Sequence, residues 1–328
     1  HETISKEVRM NATKEAIIVL KDFRKEFGQK LVLDKLNLTI NQGEIFGIVG
    51  MSGSGKTTIL NSIIGFYQPE EGDILFKDGN DYKSVYKHTL KVNSLFGFAC
   101  QQASVYPRLT VEENLDHFGS LYNLPRKQKY ESIQQLLKLT KLEDSRTRLA
   151  VNLSGGMQKQ LSIACALIHS PKILILDEPT SDLDPMLRKQ NWDLIKRINE
   201  NGTTVIIASH FLEELEHTCH NMAILHNAQI VAIGSPDELK DNFSKNYQIH
   251  LETEQADYKQ IIASLKAYKN IITNSEVQDN RLILHTPKPD AALHYVLHTL
   301  HVTKQKLADL YVSKPSLNEV FASLTQEK

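Results

Sequence analysis

Residues 50–58 read Gly-Met-Ser-Gly-Ser-Gly-Lys-Thr-Thr, and this stretch decides the fold of the chain. Its first eight residues match the phosphate-loop pattern G-x-x-x-x-G-K-[ST]. An apolar run at residues 45–49 precedes it, and apolar residues at helical spacing follow it at residues 59–64. Because the motif requires this order of strand, loop and helix, the stretch predicts an α/β core built around a phosphate-binding loop.

The residue types of this loop suit a triphosphate. Glycines let successive backbone N–H groups point inward as an anion-binding nest, and the following helix presents its positive dipole end. Lys56 adds a full charge near the β- and γ-phosphates, and the Thr57 hydroxyl is placed to ligate Mg²⁺. The alternative, a Gly/Ser-rich turn that contains Lys-Thr by chance, is disfavoured by the flanking strand and helix. The predicted ATP contacts of the loop are Ser52, Gly53, Ser54, Gly55, Lys56, Thr57 and Thr58.

Length and charge narrow the class of protein. The chain has 328 residues, enough for two domains of ordinary size. Hydrophobic residues make up 41% of it, which predicts a packed core rather than disorder. With 38 Lys and Arg against 39 Asp and Glu, the chain lacks a general basic surplus, and no nucleic-acid partner is expected.

The cysteines and the length of the apolar runs bear on the cellular compartment of the protein. Cys100, Cys165 and Cys219 are widely spaced and odd in number, as in reduced cytosolic proteins. No apolar run approaches the roughly 18 residues needed to span a bilayer, and no signal peptide is recognisable. The first residue is His1 rather than Met, which leaves open a processed, tagged or fragmentary chain.

A second strong pattern lies at residues 171–180, Pro-Lys-Ile-Leu-Ile-Leu-Asp-Glu-Pro-Thr. Four consecutive apolar residues predict a strand buried on both faces of a parallel sheet, and ligands bind at the carboxyl ends of such strands. Asp177 at that end is the expected Mg²⁺ partner of Thr57, and Glu178 is free to act as a base on an attacking water. A strand capped by solvated acids is the alternative, which the preceding phosphate loop disfavours.

The next apolar strand, residues 203–208, is followed by Ser209 and His210. A histidine at a strand end can donate to a γ-phosphate or orient water. A structural histidine is the alternative. Because His210 comes one strand after Asp177 and Glu178 in the alternation of strands and helices, the functional role is favoured.

The remaining patterns predict the architecture of the first domain. Strand-like stretches at residues 16–20, 31–40 and 73–76, joined by tight turns, predict a small antiparallel sheet beside the α/β core. Apolar residues at helical spacing predict a mostly helical insertion at about residues 102–160. Residues 1–15 are polar and charged and are expected to form a loose N-terminal extension.

These motifs together resemble the ATP-binding cassette (ABC) ATPases, the motor domains of ABC transporters. The resemblance covers residues 16–240 and implies a P-loop NTPase core. In chain order, the matching motifs are Walker A (residues 50–58), the signature motif (Leu153-Ser154-Gly155-Gly156-Met157), Walker B with the catalytic glutamate (residues 174–178), the D-loop (Ser181-Asp182-Leu183-Asp184) and the switch histidine (His210).

Two further residues are assigned by the same resemblance. Gln101 is preferred to Gln102 as the Q-loop glutamine, because the family's glutamine usually lies six residues before a proline, here Pro107. Phe27 falls where the family places an aromatic residue that stacks on adenine. The alternative is that Phe27 or Phe23 simply belongs to the core.

The resemblance implies ATP hydrolysis by paired cassettes. Two nucleotide-binding domains, identical or different, would pair head to tail, so that each ATP lies between one Walker A motif and the other chain's Ser154, Gly155 and Gly156. ATP binding would close the pair, and hydrolysis would remove the γ-phosphate contact that holds it shut. The implied catalytic residues are Glu178 as base with His210 and Gln101, and the implied Mg²⁺ partners are Thr57, Gln101 and Asp177.

Residues 245–328 are predicted to form a separate domain. Their patterns give the order strand, helix, strand, strand, helix, strand, which predicts a small ferredoxin-like α+β domain. The predicted strands are at residues 248–253, 271–272, 282–284 and 307–312, and the helices at 258–268 and 291–300. Residues 316–319, Ser-Leu-Asn-Glu, predict a capping box that opens a final helix.

This tail resembles the C-terminal regulatory domain of type-2 ABC exporter ATPases, which export drugs, polysaccharides or lipids. The resemblance rests on residues 315–321, Pro-Ser-Leu-Asn-Glu-Val-Phe, and on residues 106–115. In the same domain, His294, His298 and His301 fall at i, i+4 and i+7 of a helix, a spacing that can ligate Zn²⁺. A solvated stripe beside a core face is the favoured alternative, because no acid or cysteine ligand is obvious nearby.

The expected function is therefore the ATP-hydrolysing motor subunit of an ABC transporter of the exporter class. Such a subunit would lie peripherally on the cytoplasmic face of a membrane, bound through its helical insertion to a multi-spanning permease on a separate or fused chain. A soluble ABC ATPase of DNA repair or translation is disfavoured by the lack of heptad arms, zinc-module cysteines and a second cassette. An inert ATP-binding regulator is disfavoured by the intact Lys56, Asp177, Glu178 and His210.

Overall fold

The computed structural model describes residues 15–243, 247–268, 270–278, 280–314 and 316–326. The predicted extension at residues 1–15 lies outside these ranges except for Glu15, and so does Pro315 of the C-terminal string. The chain divides into two compact units, the described residues up to Ile233 and those from Gly234 onward. Each unit has its own cluster of buried apolar side chains, which is the property of a domain.

The first unit contains two sheets. Its elements, in chain order, are β1 (Ala16–Phe27), β2 (Lys30–Asn41), β3 (Ile45–Val49), α1 (Lys56–Ile63), β4 (Glu71–Asp78), β5 (Asp81–Ser84), α2 (Thr89–Leu95), β6 (Phe96–Ala99), α3 (Val111–Leu121), α4 (Arg126–Thr140), α5 (Gly155–Leu167), β7 (Ile173–Asp177), α6 (Pro185–Glu200), β8 (Thr204–Ser209), α7 (Leu212–Glu216), β9 (Asn221–His226) and β10 (Gln229–Gly234). The larger sheet has the order β10-β9-β3-β8-β7-β6, and the smaller one has the order β2-β1-β4-β5.

The three central strands of the larger sheet position the predicted site. Every residue of β3, β7 and β8 is buried, as expected of nearly continuous apolar runs in a parallel sheet that is covered on both faces. Strand β8 pairs in parallel with β3 on one side and with β7 on the other. Val49 lies opposite Ser209, and Asp177 lies opposite Ala208. The carboxyl ends of these strands therefore meet at one edge of the sheet.

The smaller sheet is antiparallel, as the sequence predicts. Ile18, Leu20 and Phe23 of β1 and Phe76 of β4 are buried in the same apolar cluster as Phe46 of the central sheet. This shared core holds β1, including the residues at its C-terminal end, beside the α/β core.

The insertion contains helices α3, α4 and α5. A capping box opens α3: the Thr110 hydroxyl accepts a hydrogen bond from the Glu113 N–H at 3.2 Å, and the Glu113 carboxylate accepts one from the Thr110 N–H at 2.7 Å. Asn114 is fully buried and accepts a hydrogen bond from the Tyr106 N–H at 2.7 Å. Its amide also donates to the carbonyls of Tyr106, Leu109 and Thr110. The side chains at the start of α3 thus hold the loop that leads into the insertion.

The second unit is a four-stranded antiparallel sheet with helices. Its elements are α8 (Pro236–Phe243), β11 (Tyr247–Thr253), α9 (Lys259–Leu265), β12 (Asn274–Gln278), β13 (Arg281–Thr286), α10 (Pro289–Thr303), β14 (Leu307–Ser313) and α11 (Leu317–Gln326). The strand order is β12-β13-β11-β14, with antiparallel neighbours. Its core joins Ile249 and Leu251 of β11 to Ile261 of α9 and to Val296 and Leu300 of α10. This is the predicted ferredoxin-like order.

One predicted strand of this unit is wrong. The backbone N–H groups of Ile271 and Ile272 donate to the Tyr268 carbonyl at 2.8 and 2.9 Å, so these residues form a turn after α9. Strand β12 begins later, at Asn274. The apolar pair packs into the domain core, with Ile272 buried and Ile271 packed against it, and this burial rather than strand alternation explains its composition.

The predicted fold class is confirmed, with an α/β P-loop core, an antiparallel β subdomain, a helical insertion and a small α+β C-terminal domain. None of the helices found in the described ranges is long and apolar enough to cross a membrane.

Candidate functional site

A cavity of about 540 Å³ is lined by residues that follow β3, β7 and β8, together with residues of β1, of β2 and of the segment after β6. Its volume lies in the range usual for small-molecule sites. Its lining residues are Phe27, Lys30, Val32, Ser52, Gly53, Gly55, Lys56, Thr57, Thr58, Gln101, Glu178 and His210. All of these except Lys30 and Val32 are residues that the sequence predicts for the site. The fold therefore gathers segments that are widely separated along the chain.

The loop between β3 and α1 requires its glycines. Gly53 and Gly55 have φ angles of +79° and +106°, in the region that L side chains rarely adopt. A Cβ atom at Gly50 would lie 2.7 Å from the Leu225 carbonyl oxygen. The resulting turn leads directly into α1 at Lys56, so the loop presents the N-terminus of this helix, where backbone N–H groups and the helix dipole favour a phosphate.

Lys56 connects this loop to the end of β7. Its ammonium donates to the carbonyl oxygens of Gly50 and Met51 at 2.9 and 3.2 Å. It also lies 3.5 Å from the Glu178 Oε1 atom. Lys56 and Glu178 are only 7% and 6% exposed. A cation with this many acceptors in a buried site is held in place before a phosphate arrives.

Glu178 has an unusual backbone, and its carboxylate has a lysine and a histidine as neighbours. Its φ angle is +48°, in the left-handed region, which is disfavoured for a residue with a side chain and is found at functional sites. Its N–H donates to the Ala208 carbonyl at 2.9 Å. The carboxylate lies between Lys56 and His210, whose Nδ1 atom is 2.9 Å from Oε2. A carboxylate held in this way at the cavity wall can accept a proton from a water inside the cavity.

Asp177 is the last residue of β7 and is 4% exposed. Among the described residues, its Oδ1 atom has no hydrogen-bond partner. Burial raises the pKa of the Asp177 carboxyl, and the charge of Glu178 adds to this, while a hydrogen bond from Thr57 and the charge of Lys56 act in the opposite direction. A buried carboxylate oxygen without a partner, beside a hydroxyl, fits a hard divalent cation such as Mg²⁺, which takes one or two carboxylates and completes its shell with phosphate oxygens.

His210 lies beside a cluster of side chains that could not be predicted from the sequence. Its ring lies against that of Phe211, with centroids 4.0 Å apart. The guanidinium of Arg188, on α6, lies over the Phe211 ring, 4.4 Å from its centroid. Arg188 Nε also donates to the Leu183 carbonyl at 2.8 Å, so the residue after the histidine is linked to the predicted D-loop.

Glu214 is the centre of this cluster. Its Oε2 atom accepts hydrogen bonds from the Thr180 hydroxyl at 2.7 Å and from the Trp192 indole at 2.8 Å. Its Oε1 atom lies 3.5 Å from Arg188. Glu214 thus connects α7 to α6 and to the segment after β7. The available sequence signal was an acid four residues after His210, but its partners depend on the tertiary fold.

Gln101 and Phe27 lie at the rim of the cavity. Gln101 is exposed and follows β6 by two residues. Phe27 is 43% exposed and packs edge-to-face on Tyr67, with ring centroids 5.0 Å apart. Phe23, the alternative aromatic residue, is fully buried in the core. An exposed ring at a cavity rim is available for stacking on a planar ligand.

The signature residues Ser154, Gly155 and Gly156 open α5 and are absent from the lining of this cavity. Ser154 is the N-cap, and its hydroxyl accepts a hydrogen bond from the Met157 N–H at 3.3 Å. Ser154 and Gly155 are exposed. A Cβ atom at Gly156 would meet Leu187 at 2.9 Å, so this glycine allows α5 to pack on α6. The helix N-terminus therefore faces solvent as a second place where an anion could bind.

Asp184, in the predicted D-loop, is the N-cap of α6. Its carboxylate accepts hydrogen bonds from the N–H groups of Met186 and Leu187, both at 3.0 Å. This capping explains why an acidic residue and a following proline stand at this position.

The spacing of three histidines on α10 raised the possibility of a Zn²⁺ site. His294, His298 and His301 are all exposed. Within the part of the chain that the structure describes, no group of three or more His, Cys, Asp or Glu side chains could hold a metal ion. The solvated stripe is therefore the better description of this helix face.

Comparison with protein families finds two matches. The ABC transporter family model matches residues 33–181. The model described as "ATP-binding protein DrrA1-3-like, C-terminal domain" matches residues 234–325.

Curated proteins include relatives of both units. The chain is 33% identical over 227 residues to Nod factor export ATP-binding protein I of Cupriavidus metallidurans, covering 69% of this chain and 74% of that protein. It is 28% identical to the linearmycin resistance ATP-binding protein LnrL of Bacillus subtilis, covering 93% and 96% of the two chains. It is 34% identical to the probable multidrug ABC transporter ATP-binding protein YbhF of Escherichia coli over 74% of this chain, but this chain spans only 41% of that protein.

Solved structures agree with the fold. Among them is cbiO1 from Clostridium perfringens, described as part of the ABC transporter complex cbiONQ, with a TM-score of 0.64 and 27% sequence identity. The match covers 69% of this chain and 91% of that one.

Proposed function

Because the chain belongs to the ABC transporter family of ATP-binding proteins, we propose that it is the ATP-hydrolysing motor subunit of an exporter. The observation that carries this proposal is the position of Glu178, whose carboxylate lies between Lys56 and His210 at the wall of the phosphate-loop cavity. A binding protein without hydrolysis needs no buried carboxylate at this place.

ATP would enter the cavity with its phosphates on the loop before α1. The loop N–H groups and the start of α1 bind the phosphates, and Lys56 supplies a charge to the β- and γ-phosphates. Phe27, exposed at the rim, stacks on adenine. Thr57, Asp177 and Gln101 would hold Mg²⁺, which when bound neutralises phosphate charge.

Hydrolysis would use Glu178 as the general base. The carboxylate accepts a proton as water attacks the γ-phosphorus, and the bond to the leaving ADP oxygen breaks. His210 holds one carboxylate oxygen at 2.9 Å and lines the cavity that would hold the γ-phosphate. Gln101, which also lines the cavity, positions the water. General-base catalysis of this kind is worth roughly 10²–10⁴-fold in rate.

The site would be completed by a second cassette, the simplest being another copy of this chain. Ser154 and Gly155 are exposed at a helix N-terminus outside the cavity, so they are free to approach the γ-phosphate of an ATP held by a partner. Closure of the pair then depends on ATP and ends with its hydrolysis.

The motor would act on a multi-spanning permease, on a separate or fused chain, at the cytoplasmic face of a membrane. Relatives named for export and drug resistance support the exporter class. Helices α3 and α4 of the insertion would dock on the permease. In this scheme residues 16–240 are the nucleotide-binding domain, and residues 245–328 are a regulatory domain, as the DrrA-like match suggests.

The test is the substitution Glu178→Gln, which removes the base and keeps the size of the side chain. We expect kcat for ATP to fall by about 10²-fold or more, while the Kd of a fluorescent ATP analogue changes less than about threefold. An unchanged kcat would overturn the assignment of the base. Purification from native membranes in mild detergent tests the partner: a multi-spanning protein in near-equal amount is expected, and co-purified ribosomes or DNA-repair proteins would contradict the motor role.

A further inference from the structure

The backbone carbonyl of Glu178 has three donors. It accepts hydrogen bonds from the Ser181 N–H at 3.2 Å and from the Ser181 hydroxyl at 3.0 Å. The third donor is the ammonium of Lys159, at 3.1 Å. Because the φ angle of Glu178 is +48°, its peptide stays in this conformation only while its surroundings hold it there.

Lys159 is half-buried and comes from a different part of the chain. It lies on α5, and its ammonium also donates to the Ser181 hydroxyl at 2.7 Å. The two contacts allow a consistent chain, in which Lys159 donates to the Ser181 oxygen and the Ser181 hydroxyl donates to the Glu178 carbonyl. A positive charge at the carbonyl makes this contact stronger than a neutral hydrogen bond.

Opposing effects act on the charge of Lys159. Burial lowers the pKa of Lys159, while the charges of Asp182 and Glu178 act in the opposite direction. A lysine that is brought into a partly buried place beside a strained peptide loses hydration. Its two hydrogen bonds there are the compensation for that loss.

The position of Lys159 on α5 connects two sites. The helix opens at the signature residues, and Lys159 follows Ser154 by five residues, about 7.5 Å along a helix at 1.5 Å per residue. In a head-to-tail pair, the start of α5 serves the ATP of the partner, whereas Glu178 serves the ATP of its own chain. A rigid helix that moves at one end therefore moves the donor that holds the base at the other site.

We propose that Lys159 is a positioning residue that holds the Glu178 peptide in its left-handed conformation and makes the position of the base depend on the signature helix of the same chain. The proposal rests on the proposed function, since it assigns to Glu178 the role of base. It predicts that hydrolysis in one site responds to ATP in the other through this lysine.

The test uses three substitutions in the full chain. Lys159→Met keeps the aliphatic stem and removes the charge, Lys159→Arg keeps the charge, and Lys189→Met removes an exposed lysine of α6 as a control. We expect Lys159→Met to lower kcat by at least roughly tenfold, because small misplacements of a catalytic group have effects of this size. We also expect its Hill coefficient for ATP to fall to about 1, while the Kd of a fluorescent ATP analogue stays within about twofold. Lys159→Arg should regain most of kcat, and Lys189→Met should match the wild type.

A readout that does not need turnover is hydrogen exchange at the Ser181 amide. This N–H donates to the Glu178 carbonyl, so its exchange should become at least tenfold faster in Lys159→Met and stay slow in Lys159→Arg. A wild-type kcat and Hill coefficient in Lys159→Met would overturn the proposal. So would a loss of ATP binding parallel to the loss of kcat, or equal effects of Lys159→Met and Lys159→Arg.

The outcomes separate the two proposals. If Glu178→Gln leaves kcat unchanged, the assignment of the base fails, and with it the positioning of that base by Lys159. If Glu178→Gln is inactive while Lys159→Met has wild-type kcat and Ser181 exchange, only the role of Lys159 fails.

Discussion

The phosphate-loop cavity is enclosed by side chains of one chain, whereas the start of α5 presents its signature residues to solvent. Lys56 and Glu178 are 7% and 6% exposed and lie 3.5 Å apart, and Lys56 also donates to the Gly50 carbonyl. Ser154 and Gly155 are exposed, and the Ser154 hydroxyl caps the start of the helix. The difference fits the proposal that the nucleotide is bound by one chain and that hydrolysis requires a second.

The substitution Gly155→Asp separates the two regions most sharply. A Cβ atom at Gly155 meets nothing within 4 Å, and an acid in the first turn of a helix is favourable for folding. The same charge would oppose a γ-phosphate carried by the partner. We expect hydrolysis to fall by roughly 50-fold or more, with ATP binding by the single chain within about twofold of wild type and Tm unchanged or slightly raised. Steady-state ATPase assays and a binding titration check this.

The control is Gly155→Asn, which has nearly the same size without the charge. It should retain more activity than the acid. Equal losses in both variants would indicate a steric effect, and an unaffected ATPase in Gly155→Asp would mean that the start of α5 does not approach phosphate.

Phe27 and Phe23 test the cavity itself. Phe27→Ala should weaken the Kd for ATP about tenfold, because an aromatic–base stack is worth about 1–3 kcal/mol, and should change stability little, since the ring is 43% exposed. Phe23→Ala should do the reverse, with a loss of about 3–5 kcal/mol in the free energy of unfolding. Nucleotide titration and urea unfolding give the two numbers. Normal ATP binding by Phe27→Ala would show that this ring does not stack on adenine.

Asp177 gives the smallest effect, a dependence of stability on pH. Its pKa is raised in the folded state, chiefly by burial, so the folded chain binds this proton more tightly than the unfolded chain does. The free energy of unfolding therefore loses a contribution as pH rises from below the ordinary carboxyl pKa through the raised one. Asp177→Asn should raise Tm by about 2–4 °C at pH 7 and by less near pH 4. It should also abolish the Mg²⁺ dependence of ATP binding. A variant that is less stable at pH 7 would contradict the burial argument.

Most residues of the cavity could be predicted from the sequence because they belong to short, local motifs. The glycines, Lys56, Asp177 and Glu178 lie within short stretches whose residue types follow directly from phosphate chemistry. The positions of Phe27 and Gln101 came from family resemblance, and His210 was predicted from its place at the end of a strand. The structure brings all three to the same cavity.

The residues that support the site could not be found in this way. Lys159 and Glu214 lie in helices where a lysine or a glutamate is ordinary, and only the packing of α5, α6 and α7 gives them their partners. The misplaced strand at Ile271 and Ile272 has a related cause, because two β-branched residues satisfy a strand pattern and a buried turn equally well.

We propose above that this site needs the signature residues of a second chain. The most direct measurement is sedimentation velocity of the Glu178→Gln chain with and without saturating MgATP, because slow hydrolysis should preserve the closed pair. We expect a monomer of 37.2 kDa without nucleotide and a dimer with it, and we expect that adding Gly155→Asp restores the monomer. A chain that binds ATP and stays monomeric, or a dimer that Gly155→Asp leaves intact, would contradict the claim.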